Sequence, residues 1–176
     1  DRTSRGLGDV YKRQIQHGCL AERHDECFNE VYWPRIARGN EGFAVKKLGL
    51  YGQNLAALAS FFQTKDPKTG DPLPAFQTPH SALYGSNQAL VLNLAGYALR
   101  AIGRLSDAVE PMGEQPKLHV ALESWTNAAG GYGNLSELLL TLGKIRNPKS
   151  KIRNPKYTGV GFRVSDFGFC RRKRLG

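Results

Sequence analysis

Apolar residues recur at spacings of three and four along two blocks of the chain, the period of a helical face. In the first block, Cys19 to Phe62, the recurring positions include Ile36, Phe43, Val45, Leu48, Leu50, Leu55, Leu58, Ala59 and Phe62, with Gly49 and Gly52 breaking the run. They predict one helix ending near Arg38, a second over Glu41 to Leu48 and a third over Gln53 to Phe62. The second block is stronger. Leu90, Leu92, Leu94, Ala95, Ala98 and Leu99 predict a helix from Ser86 to Ala101, which Gly103 stops in the left-handed position that follows a helix end. Ser106 is the expected cap of the next helix, with Asp107 and Glu110 suited to its positive end. Pro111 predicts a kink there, and Pro116 predicts its end. The last helix is expected from Ser124, its cap, to Leu142, with Gly143 closing it. Gly130, Gly131 and Gly133 are its weak point, at about 1 kcal/mol each relative to Ala. Between the blocks, residues 64–80 carry four Pro and one Gly, which predicts a loop, a linker or a local insertion.

The two later helices are built alike. Asn93 to Val109 (NLAGYALRAIGRLSDAV) and Asn134 to Lys144 (NLSELLLTLGK) each place Asn-Leu ahead of a helix that ends in Leu or Ile followed by Gly. The step from Gly103 to Gly143 is 40 residues. Periods of this order belong to helix pairs that stack into a solenoid.

In this frame the segments VYWPRIARGNEGFAVKKLG, QNLAALASFF, LRAIGRLSDAVEPM and SWTNAAGGYGNLSELLLTLG resemble the tetratricopeptide-repeat family, and within it the long bacterial arrays whose repeats run near 40 residues. The resemblance covers most of 31–143. It implies an all-α fold of helix-turn-helix repeats, with Leu92, Ala95, Gly96 and Leu99 packing the first helix of a repeat and Gly103 at its turn. Leu105, Ala108 and Met112 would then pack the second helix, and Leu135, Leu139 and Gly143 the following copy. It also implies a binding scaffold without catalysis or cofactor, its partner a protein, a peptide or a neighbouring domain. Asn93, Tyr97 and Arg100 would face the concave side as contacts. Such arrays often sit in larger signalling proteins, so a regulatory or sensor segment of a multidomain NTPase or caspase-like protein is the alternative. The chain departs from the family at GEQPKLH, Gly113 to His119, and at GGYG, Gly130 to Gly133. Trp125 and Tyr132, at helical spacing, read as core aromatics.

Charge changes this picture only at the ends. The chain carries 25 Lys+Arg and 15 Asp+Glu. Residues 144–176 hold eleven of the bases and one acid, and 1–14 hold four bases and two acids, which leaves 15–143 at a net charge of −2. A basic nucleic-acid surface is therefore not expected, and RRKR, Arg171 to Arg174, carries little weight as a targeting patch. Ser4 to Gln14, SRGLGDVYKRQ, resembles the translation of a sequencing-library adapter, which marks 1–14 as a non-native tail expected to be disordered or irregular. KIRNPKS is repeated at once as KIRNPKY, and residues 149–156 (KSKIRNPK) return as FRVSDFGF, 162–169, when plausible codons are read on the opposite strand. An inverted DNA repeat has no reason to exist in a folded protein, so 144–176 is expected to be a non-native, irregular tail. The expected organisation is a first helical unit over 15–63, a Pro-rich loop over 64–85 and repeats over 86–143.

The remaining chemistry is sparse. His17, Cys19, His24 and Cys27 are residue types that zinc prefers, which makes a small zinc module a weak alternative; H-x-C-x4-H-x2-C matches no standard structural site. The same residues give no nucleophile with an orienting third group, and GGYG lacks the Lys-Ser/Thr of a phosphate loop. With the tail set aside the three cysteines reduce to two, Cys19 and Cys27, too few for a disulfide framework, and no apolar run reaches membrane length. Together these features point to a cytoplasmic protein.

Overall fold

The computed structural model describes residues 2–144, with side chains from residue 9 onward. Over that span the chain is all-α. Helix α1 is Arg2–Leu20, and α2, His24–Glu26, runs on as a wider π-helical segment, Cys27–Ala37. A 3-10 turn (Gly39–Glu41) and a π turn (Phe43–Lys47) lead to α3, Tyr51–Leu58, which tightens into a 3-10 turn at Ala59–Phe61. Three equal helices follow the loop: α4 (Gly85–Ala101), α5 (Leu105–Ala121) and α6 (Trp125–Thr141), 17 residues each. No described helix is long and apolar enough to cross a membrane.

The N-terminal stretch is not irregular, as the sequence led us to expect, but lies within α1. Tyr11, Ile15 and Cys19 recur every four residues and meet the core on one face, with Ile15 completely buried. The adapter resemblance of Ser4 to Gln14 rests on codons, and a helical backbone does not bear on it. Nearly all of the tail expected to be non-native, 145–176, lies outside the described residues.

The first unit closes around aromatic rings. Phe28 meets Tyr32 at 5.4 Å and Phe61 edge-on at 5.5 Å. The buried Tyr32 hydroxyl donates to Asn54 Oδ1 at 2.9 Å, which ties the π-helical segment to α3. The helix that ends near Arg38 is present, with Arg38 left-handed (φ 52°) after it. The one expected over Glu41 to Leu48 is reduced to the π turn, because left-handed Gly42 and Gly49 cut it at both ends.

Residues 64–80 form a loop, but one folded onto the unit rather than a free linker. Its two limbs pair where Gln63 N donates to Thr78 O (2.8 Å) and Leu73 N to Thr64 O (2.9 Å). Asp66 Oδ1 caps the tip by accepting from Lys68 N, and Phe76 is buried edge-on against Phe62. The prolines remove amides that such a loop has no need to donate.

Helices α4, α5 and α6 are joined by three-residue turns of one design. Gly103 (φ 81°), Glu123 (φ 55°) and Gly143 (φ 67°) hold the left-handed position. In each turn the next amide reaches back five residues, Arg104 N to Leu99 O, Ser124 N to His119 O and Lys144 N to Leu139 O, all at 2.8–2.9 Å. This is the Schellman closure of a helix end. The same closure ends α1, where Glu22 is left-handed and Arg23 N donates to Gly18 O. The 40-residue step between Gly103 and Gly143 therefore divides at Glu123 into two 20-residue units, each one helix and its turn.

Three expectations for this region are corrected. Pro116 does not end the second helix, and GEQPKLH is no interruption: α5 continues to Ala121 with both prolines inside it. An interior proline costs about 3 kcal/mol, but both rings are fully buried in the contacts of α5 with its neighbours. Fully buried Leu92, Leu99 and Leu138 add roughly 1.5–3 kcal/mol each by leaving water, so packing overrides local preference. Ser106 is not the cap; Arg104 is, and its side chain bonds Asp107 at 2.7 Å within the first turn. Ser124 does stand at the cap of α6, although its hydroxyl accepts from the Asn127 side chain rather than from a backbone amide.

Gly131 is also more than a weak point. A Cβ there would run into the Gln115 side chain and lie 3.0 Å from Pro116 Cβ, whereas Gly130 and Gly133 face open space. Gly96 is its counterpart on α4, where a Cβ would lie 2.5 Å from Met112 Cγ. Leu92, Ala95, Leu99, Ala108 and Met112 are buried around these crossings, with Leu105, Leu135 and Leu139 partly so.

Two stability measurements follow. Gly130→Ala and Gly133→Ala should each raise the urea midpoint by about 1 kcal/mol equivalent, while Gly131→Ala lowers it; three equal shifts would contradict the crossing geometry. A non-glycine residue in the left-handed region costs roughly 1–2 kcal/mol. Glu123→Gly should therefore raise the melting temperature, a gain that no change at right-handed Glu114 would reproduce.

Candidate functional site

Helix α4 buries Ala89, Val91, Leu92, Ala95, Gly96, Ala98 and Leu99. Asn93, Tyr97 and Arg100, spaced four and three apart, are left on one stripe of its surface. Asn93 and Arg100 are half-buried, and Tyr97 is 48% exposed. The Tyr97 ring lies 6.4 Å from that of Tyr51 on α3, tilted by 41°. Arg100 Nη2 donates to Glu137 Oε2 at 2.7 Å, linking the first and third helices of the trio. The stripe thus offers an amide, an aromatic face and a guanidinium whose charge is already matched by a carboxylate. These groups suit stacking and amide hydrogen bonding more than bare charge pairing.

Tyr51 was not among the sequence candidates, since nothing in the chain pairs residues 46 apart. Glu137 was likewise missed, and only the 20-residue register would have set it beside helix α4. Trp125, read as a core aromatic, is instead 65% exposed, because as the first residue of α6 it stands at the corner of the turn. Tyr132 is half-buried.

The cysteine and histidine cluster resolves differently. Cys19 and Cys27 are both buried, and their thiols face each other beside Gly18, whose missing Cβ leaves space for Cys27 Sγ. Burial, and then the nearby Cys27, push the Cys19 thiol up to about 12; burial also raises Cys27. Thiols so desolvated resist forming the thiolate that metal binding needs. His24 stacks on His80 instead, with ring centroids 3.6 Å apart. Among the described residues no three His, Cys, Asp or Glu side chains are arranged to hold a metal ion.

Another polar cluster joins the two halves of the chain. Asp25 Oδ1 accepts from Tyr84 N (3.0 Å) and Asn87 Nδ2 (2.7 Å), so a carboxylate from α2 caps the start of α4. Comparison with protein-family models, with curated proteins and with solved structures finds no match to this chain.

A solvated ion pair contributes about 0–1 kcal/mol. Arg100→Met should therefore leave the thermal unfolding midpoint nearly unchanged, and a large loss of stability would show the pair to be structural rather than part of an open face.

Proposed function

We propose that residues 15–143 are part of a non-catalytic protein-interaction scaffold of the tetratricopeptide kind, acting in the cytoplasm without a cofactor. The observation that carries it is the repetition of one unit: 17-residue helices closed by the same turn, packed in sequence and paired at a 40-residue step. Stacked helix pairs present a preformed surface, so a partner pays little of the ordering entropy on the scaffold's side. The stripe of Asn93, Tyr97 and Arg100, with Tyr51 beside it, supplies the kinds of group that hold an extended peptide or a partner helix. A protein or peptide, or a neighbouring domain of the same protein, is the partner this chemistry suits.

A photo-reactive benzoylphenylalanine placed at position 97 of the full chain tests it. In extract, irradiation should give a discrete protein adduct from position 97 and none from Lys117, which holds the same register on α5. Equal labelling from both positions, or none from either, would remove the stripe as a binding face.

A further inference from the structure

The Pro-rich loop returns to the first unit at His80, whose ring lies flat on His24, 3.6 Å away and within 8° of parallel. His24 is only 5% exposed, and its Nδ1 has no hydrogen-bond partner. His80 Nδ1 accepts from Ala82 N at 3.3 Å, while His80 N donates to Phe61 O at 2.8 Å. From there the backbone runs directly to α4: Leu83 N donates to His80 O, and Tyr84 N to Asp25. We propose that the stacked His24–His80 pair is a pH-sensitive latch, which holds the 62–84 loop and the start of α4 on the first unit and releases them on acidification.

The arrangement suits two neutral rings and opposes charged ones. A protonated imidazole carries N–H on both nitrogens. On His80 that converts the Nδ1 acceptor into a donor aimed at an amide N–H, and the Ala82 bond is lost. On His24 it places an N–H at a buried nitrogen that has no partner, with only Glu22, chiefly its backbone, near enough to favour the charge. Two protonated rings at this separation also repel.

The groups that face His24 offer little compensation. His80 comes from the loop and Glu22 from the turn before α2. Asp25, from α2 itself, is engaged with Tyr84 and Asn87 of α4, and Arg23 and Glu26 are paired with each other. Burial first, and then His80, hold the His24 ring below its ordinary value despite Glu22. A histidine with a depressed folded pKa binds fewer protons folded than unfolded. Its contribution is therefore intact above about pH 6.5 and is lost as pH falls from there through the folded value.

Hydrogen exchange on the full chain, corrected for intrinsic rates, reads the latch directly. Between pH 7.5 and 5.5, protection of peptides spanning 62–84 should fall by roughly tenfold, the scale set by uptake of one proton per pH unit, while peptides of α5 stay unchanged. In His80→Phe, which removes the second charge and the Ala82 bond but leaves His24 buried, the fall should be clearly smaller. Constant protection of 62–84 in the parent protein, or an equal fall in His80→Phe, would overturn the latch. An NMR titration of the parent protein decides independently of any variant. His24 should titrate below 6.5, with the loss of protection already under way above that midpoint, and a midpoint at or above 6.5 would overturn it as well.

Discussion

Helix α5 is wedged between α4 and α6, and the approach of backbones on its two sides is the constraint on which the C-terminal trio depends. On one side Gly96 leaves room for Met112, and on the other Gly131 leaves room for Gln115 and Pro116. Helices that cross this closely gain dispersion contacts along their length, and the buried leucines fill what the crossings leave open. The prolines of α5 are tolerable only inside this arrangement. In a free helix they would cost more than the local sequence could recover; between two neighbours their rings become part of the packing surface. Tertiary contact, rather than helix propensity, thus decides the length of α5.

The turns carry the second regularity. One backbone closure ends α1, α4, α5 and α6, with a left-handed residue and an amide reaching back five positions each time. Two of the four use glycine and two use glutamate, so the geometry is kept even where the side chain opposes it. The face bearing Tyr97 owes its position to this uniformity. Equal helices and equal turns bring α6 back alongside α4, so that Glu137 meets Arg100 without any direct chain connection between them.

Much of this could be read from residue order. Gly103 and Gly143 marked two helix ends, the apolar period of α4 gave its buried face, and the 40-residue step gave the pairing of helices. What escaped was everything that depends on burial of a locally unfavourable residue. Pro111 and Pro116 look like breaks because a proline's cost is local while its compensation lies on another helix. Glu123 hides the halfway turn because only its φ, and not its type, matches the glycines. Gly130, Gly131 and Gly133 are indistinguishable in sequence, and only the neighbour opposite each one separates a crossing from a gap. For the candidate site, the stripe on α4 was legible as a helix face, but Tyr51 and Glu137 reach it through the fold. His24 was noticed for its proximity to cysteines, whereas its actual neighbour is 56 positions away, on a loop without periodicity.

A unit of one helix and its turn has a direction as well as a length. Each 20-residue step reverses the course of the chain, so loss or gain of a single step would flip every later helix end for end. Two steps restore the original heading. A gene encoding such a chain can therefore grow or shrink by double units without disturbing what lies beyond them, while a change of one unit redraws the whole downstream face.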